Sequence, residues 1–166
     1  ANYAYSQSLN YAKAPNSYIY DLDYAASNNY GGIMIPVKKA YEMWASYNYL
    51  KTDGVNTPIP GGIQEASVYW EDISGLISEV SVVSGETPSD SKIRVEVNSA
   101  KGKGNAVIAF KVNGNIYWSW HIWVTDDPSN GVNYSQGFET DVNLVPTQIV
   151  YMDRNLGAVS KSFLGN

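Results

Sequence analysis

Apolar and polar positions alternate in several short runs, and a period of two is the signature of a half-buried strand. In "SKIRVEVNS" (91–99) Ile93, Val95 and Val97 fall on one face while Lys92, Arg94 and Glu96 fall on the other. "LISEVSVVSG" (76–85) sets Leu76, Ser78, Val80 and Val82 against Ile77, Glu79 and Ser81. "EASVYWEDI" (65–73) puts Val68 and Trp70 on a common face. "SYIYDLDY" (17–24), "GGIMIP" (31–36) and "TQIVYMDRN" (147–155) read as further strands. One segment has a different period. In "PVKKAYEMWASYNYLK" (36–51) Val37, Tyr41, Trp44 and Tyr47 recur every three to four residues. That spacing predicts a helix with Pro36 at its first position and Lys38, Lys39 and Glu42 mostly toward solvent. "TDGVNTPIPGG" (52–62) is a turn-rich loop, and 132–146 a long polar connection.

The densest signal is "GNAVIAFKVNGNIYWSWHIWVTDDP" (104–128). Asn113-Gly114 predicts a two-residue hairpin turn, because both central positions need positive φ. With Val112 opposite Asn115, a regular ladder sets Phe110 against Tyr117, Ala109 against Trp118, Val107 against Trp120 and Ala106 against His121. One face then carries Val107, Ala109, Lys111, Ile116, Trp118, Trp120, Ile122 and Val124. It is apolar apart from Lys111 at the turn end, and it places a small residue opposite each tryptophan, as a packed interior requires. Trp118 and Trp120 are expected inside. The second face carries Ala106, Ile108, Phe110, Tyr117, Ser119, His121, Trp123 and Thr125. It leaves Tyr117, His121 and Trp123 as the members open to a functional role.

The length of 166 residues fits one domain with an attached arm. The net charge is −5 with a pI near 4.7 and no clustered cations, which excludes a phosphate backbone as partner. The absence of cysteine removes disulfides, thiol catalysis and thiolate metal sites. No apolar run approaches the roughly 18 residues of a membrane helix. Tyrosine is abundant, with 14 in all and ten before residue 50, while only 16% of residues are charged. That balance fits an extracellular surface protein. "ANYAYSQSLN" lacks the features of a signal peptide, so the expectation is an exported chain whose signal has been removed. Residues 1–15 form an extended Tyr-rich arm, 16–158 the folded module and 159–166 a C-terminal tail. The arm adds Tyr3, Tyr5 and Tyr11 as candidate partner contacts.

The blocks "NSYIY", "MIPVKKAYEMW", "ASVYWEDISGLISEVSV", "KGNAVIA", "WSWHIWVTD" and "MDRNLGA" follow one another over about residues 16 to 158. In that order they resemble a module of Bacteroidetes-type cell-surface and fimbrillin-associated proteins, the last two blocks being the most distinctive. The resemblance implies a mainly β chain: an antiparallel β-sandwich of Ig-like type, with one helix near 36–51 and the N-terminal arm outside it. It also implies export to the outer membrane face and service in adhesion or assembly, and it carries over no catalytic residues. The arm is not part of the resemblance, which points to a subunit held by an arm or strand given to its neighbour.

Candidate chemistry changes this picture little. His121 is the only imidazole, so a multi-histidine metal site is excluded. No G-x-S-x-G motif places a nucleophile. The doublets Glu71-Asp72 and Asp126-Asp127 point their side chains to opposite faces if extended, so neither supplies the facing carboxylates of a glycosidase. "KGKGN" (101–105) reads as a solvated turn, and Asp153-Arg154 as a local ion pair. No catalytic residue, metal or cofactor is expected. The leading expectation is a non-enzymatic surface module, an adhesin or a subunit of a fimbria-like assembly, whose partners are further copies of itself or other assembly subunits. The alternative is a carbohydrate-binding module that stacks sugars on the aromatic residues of the second face and the Tyr-rich region. A phage or filament structural protein is the third reading.

Overall fold

The computed structural model describes residues 11–46, 50, 58–128, 133–134, 149–150 and 156–159. Within them the chain forms β1 (Ser17–Asp21), α1 (Leu22–Asn28), β2 (Gly32–Pro36), α2 (Lys38–Ser46), β3 (Gln64–Glu71), β4 (Ile77–Val83), β5 (Lys92–Val97), β6 (Gly104–Val112), β7 (Asn115–Thr125), β8 (Asn133–Tyr134) and β9 (Ile149–Val150). The order β1-β7-β6-β3 makes a four-stranded sheet and β2-β5-β4 a three-stranded one, while β8 pairs with β9. Every pairing is antiparallel except β1, which runs parallel to β7. The protein is therefore mainly β, with one helix more than the sequence pattern predicts. β9 lies inside the expected last strand, and its partner β8 lies inside the stretch expected to be a plain connection.

The two larger sheets share one buried cluster. β5 contributes Ile93, Val95 and Val97, the alternate positions anticipated from its period. β6 contributes Ala106, Ile108, Phe110 and Val112, β7 contributes Trp120, Ile122 and Val124, and Val37 and Ala40 join from the start of α2. Each large apolar side chain withdrawn from water is worth about 1.5–3 kcal/mol, so the side on which a strand buries its residues is strongly specified.

The β6–β7 hairpin turns at Asn113-Gly114 as expected, with φ of 51° and 79°. The ladder beyond it differs from the regular count. Lys111 still faces Ile116, but Phe110 faces Trp118, Ile108 faces Trp120 and Val107 faces His121. Tyr117 is the extra residue of a β-bulge, and one extra residue reverses the facing of every pair beyond it. The core side of β6 is thus Ala106, Ile108, Phe110 and Val112. Val107, Ala109 and Lys111, expected in the core, belong to the outer side. Trp120 is inside at 1% exposed, while Trp118 is only half-buried. The physical reason is that the bulge makes the α2-facing side of the hairpin apolar on both strands, whereas the regular ladder leaves Ile108 and Phe110 outside.

A second bulge, between Val68 and Trp70 on β3, has the same effect. Val68 lies opposite Ile108 and packs on the core, but Trp70 lies opposite Val107 on the outer face and is 51% exposed. The two do not share a face.

The local sequence accounts for both helices. β1 stops at Asp21 because its carboxylate accepts the backbone N–H groups of Asp23 and Tyr24, the N-cap arrangement that opens α1. The expected strand 17–24 therefore ends early. Pro36 does not begin a helix; it ends β2, an edge strand of its sheet, where a missing N–H is tolerated. α2 starts at Lys38 and buries Ala40 and Met43, with Val37 buried just ahead of it and Tyr41 and Trp44 half-buried. Tyr47 lies outside the described residues.

Lys39, expected in solvent, is 4% exposed. Its ammonium donates to the carbonyl of Ala12 at 2.7 Å and to that of Ala14, and it stands 5.7 Å from the centroid of the Trp118 ring. Glu42 accepts the Ala12 N–H at 3.1 Å. Together these side chains dock the short 3-10 turn Tyr11–Lys13 onto α2. Burial holds the Lys39 amine below its usual pKa, but the carbonyls and the aromatic face compensate the ammonium. Lys39→Met preserves the stem and leaves both carbonyls without their donor, so it should destabilise the fold by about 1–3 kcal/mol. The measurement is the urea midpoint, accompanied by faster proteolysis within 11–16; an unchanged midpoint would remove the clamp from the account.

Candidate functional site

The outer face of the four-stranded sheet carries the chain's one imidazole. Register sets Ser17 of β1 and Val107 of β6 on either side of His121, with Trp70 of β3 next to Val107. Asn105 lies opposite Trp123, one pair further along the same face. Asp72, just beyond β3, takes the Asn105 backbone N–H on Oδ1 at 2.8 Å and its amide nitrogen on Oδ2 at 2.9 Å. The same amide nitrogen also donates to the carbonyl of Gly157 at 3.0 Å.

These partners decide the protonation pattern of His121. The Asn105 amide nitrogen has given both protons away, so Oδ1 is the atom 2.9 Å from His121 Nε2. An oxygen only accepts, so Nε2 carries the hydrogen. Nδ1 is then a lone pair facing the Ser17 hydroxyl at 3.2 Å. Burial pushes the imidazole below its usual 6.5, while the nearby Asp72 charge raises it by a smaller amount. His121 is thus a neutral, doubly engaged side chain that ties β1, β6 and β7 together, with the Asn105 amide extending the tie to Asp72 and the 156–159 segment.

Gly157 brings the 156–159 segment against the Asn105–His121 contact. Its φ is 87°, in the region glycine favours, and a Cβ there would stand 3.3 Å from Asn105 Oδ1 and 3.8 Å from His121 Cε1. Asp153 and Arg154 lie outside the described residues.

The candidates read from sequence part company here. Tyr117 and His121 come together, both lining an open groove of about 460 Å³. Tyr117 is half-buried on the α2 side, its ring 5.2 Å edge-on from Trp44, whose indole N–H donates to the Tyr117 carbonyl at 2.7 Å. Trp123 is 0% exposed and offers no face to a sugar or partner, which corrects its selection as a contact residue. The indole nitrogens of Trp120 and Trp123 are both buried without a partner among the described residues. Tyr11 does not line this groove; its ring lies 5.2 Å from the Lys38 ammonium in the turn docked on α2. Tyr3 and Tyr5 lie outside the described residues.

Asn16, Ser17, Asn105, Ser119 and Gly157 escape a reading by sequence. The available signal is the hairpin itself: accepting a bulge brings Ile108 and Phe110 to the tryptophan face and sets Val107 and Asn105 on the face that carries His121. "KGKGN" is only partly a solvated turn, since Asn105 belongs to β6 and Lys103 pairs with Asp126 at 2.9 Å. Glu71 is spent on the turn after β3, accepting the N–H groups of Gly75 at 2.5 Å and Ile77 at 3.2 Å.

Chemically, Ser17–His121–Asn105 has the connectivity of a hydroxyl, a base and an orienting group. The orienter is a neutral amide, which stabilises an imidazolium far less than a carboxylate does. Protonating His121 converts Nδ1 from acceptor to donor and reverses the bond with Ser17, whose hydroxyl then accepts. The depressed folded-state pKa fixes the sign of the linkage: the unfolded chain takes up the proton first, near pH 6.5, so stability falls as pH drops below that value and stops falling once the folded imidazole is protonated. The urea midpoint should therefore decline from pH 7 toward pH 5, and His121→Gln should flatten that decline while lowering stability at pH 7. Equal slopes in the two proteins would show that another group is responsible.

No protein-family model, curated protein or solved structure matches the chain, so the meaning of this face rests on its own geometry.

Proposed function

We propose that the chain is a non-enzymatic, extracellular surface module of Ig-like sandwich architecture, acting in adhesion or as a subunit of a fimbria-like assembly. The strand order supports the architecture. β2-β5-β4 and β7-β6-β3 follow the B-E-D and G-F-C orders of the immunoglobulin Greek key. The departure is β1, which runs parallel along β7 instead of joining β2.

The observation that carries the non-enzymatic reading is the commitment of the sole imidazole. Both of its nitrogens are engaged in cross-strand bonds that hold the sheet to the 156–159 segment. A surface role is favoured by the low charge and the Tyr-rich composition. It is also favoured by large exposed side chains on the strands, among them Tyr69, Trp70 and Ile116, since aromatic residues are enriched where proteins meet partners. Among the described residues no helix is long and apolar enough to cross a membrane.

A serine-directed fluorophosphonate probe tests the reading, because Ser17 is the hydroxyl that a base at His121 would activate. The expected result is no labelling of Ser17 above that of denatured chain. Labelling that disappears in His121→Gln would overturn it. Electron microscopy of the purified chain at rising concentration then separates a self-assembling subunit, which forms regular polymers, from a solitary adhesin, which does not.

A further inference from the structure

Three features lie side by side on the outer face. The first is the groove beside His121, floored by Val107 and Ser119 and walled by Asn16, Ser17 and Ile116. The second is a free stretch of strand edge. His121 donates its backbone N–H to the Asn16 carbonyl at 2.8 Å, so its backbone faces β1. Alternation turns the N–H and C=O of Ser119, two residues earlier, to the same side. β1 begins only at Ser17, opposite His121, so no described strand lies beside Ser119. The third is Trp70, half exposed and in the same cross-strand row as Val107, His121 and Ser17.

We propose that this face is a binding site for a short neutral oligosaccharide, with Trp70 as its stacking platform and the Ser119 backbone, Ser17 and Asn16 as its hydroxyl-reading groups. The site rests on the surface-module reading above and names the ligand class for it. No residue lining the groove carries a formal charge when His121 is neutral; Lys111 on this face lies directly opposite Glu65, and the Lys39 ammonium behind Trp118 is held by the Ala12 and Ala14 carbonyls. Such a lining fits a ligand that offers only hydroxyls better than phosphate or a strongly acidic or basic chain. The hydrogen-bonding groups come as mixed donors and acceptors. Ser119 presents one N–H and one C=O. Ser17 gives its proton to His121 and keeps its lone pairs. Asn16 accepts the Trp118 indole on Oδ1 at 3.1 Å and keeps its amide nitrogen as a donor. Such alternation matches vicinal hydroxyls. From Ser17 to Trp70 the row crosses three strand spacings, about 14 Å, the reach of a short oligosaccharide.

An extended peptide added to the edge is the competing occupant, and the geometry disfavours it. The bulge at Tyr117 breaks the even spacing that an added strand needs, and the Trp44 indole already occupies the Tyr117 carbonyl. Only the Ser119 pair is left in regular geometry before β1 takes over.

The test is a titration of the 15N-labelled full chain with cello-, xylo- and manno-pentaose, with polygalacturonate oligomers and a Tyr-Ser-Tyr-Ser-Tyr peptide as contrasts. Resonances of the Trp70 indole and the Ser119 amide are followed, alongside Trp70→Ala and Ser119→Glu, two exposed positions whose substitution should leave the spectral dispersion intact. The proposal expects saturable shifts at both resonances with at least one neutral pentaose, and affinity at least tenfold weaker in each variant. It is overturned if no neutral pentaose binds, if binding survives both substitutions, or if the anionic oligomer or the peptide binds in preference. Polymers seen by microscopy and unchanged in both variants would leave the surface-module reading standing while a negative titration removed the sugar site. Fluorophosphonate labelling of Ser17 would remove the module reading independently.

Discussion

The extra residue at Tyr117 is the constraint on which the rest of the molecule depends. It changes the partner of every β7 residue beyond the bulge, so Trp120, Ile122 and Val124 meet Ile108, Ala106 and Gly104 across the hairpin. Without it, the strand that supplies the middle of the four-stranded sheet would turn Ile108 and Phe110 to the wrong side. With it, Tyr117 and Trp118 both contact α2, through Trp44 and Lys39 respectively. Those contacts fix where the helix lies, and Lys39 in turn fixes where the chain enters β1 by holding Ala12 and Ala14. A single bulge therefore connects the hairpin, the helix and the start of the folded chain.

Around His121 the outer face is organised by polar contacts. His121, Asn105 and Asp72 form a chain of hydrogen bonds in which each donor and acceptor role follows from the next. The 156–159 segment closes it through the Gly157 carbonyl. Such networks are worth most when complete, because a buried polar group left without its partner carries the full cost of desolvation. One imidazole can thus be structural while the Ser119 backbone at its margin stays outside the network.

Much of the strand content is legible because period-two alternation survives wherever one face is buried, as in Ile93, Val95 and Val97. The Asn113-Gly114 turn is legible because positive φ at both central positions restricts the residue types. Lys39 defeats the same logic: a lysine beside an apolar stripe normally reaches water, and only the presence of the Ala12 and Ala14 carbonyls draws it inside. Trp70 defeats it through a bulge, and Trp123 through burial on a face that pattern alone leaves open. Of the candidate site, His121 and Tyr117 were visible as unusual residues. Asn105, Ser17 and Gly157 were not, since each is an ordinary turn or strand residue until its partner from a distant segment is beside it.

By itself the sequence determined a mainly β chain with a helix in the 36–51 stretch, a tight hairpin at Asn113-Gly114 and a tryptophan-rich strand at its centre. These are properties of neighbouring residues: side-chain period, turn chemistry and helix spacing act over a few positions. Tertiary structure alone decided the strand order, the two bulges, the parallel docking of β1 on β7 and the meeting of Asn105, His121 and Gly157. A bulge is placed by which of two registers buries more apolar surface once both sheets and α2 are present, and that balance does not exist within any one strand.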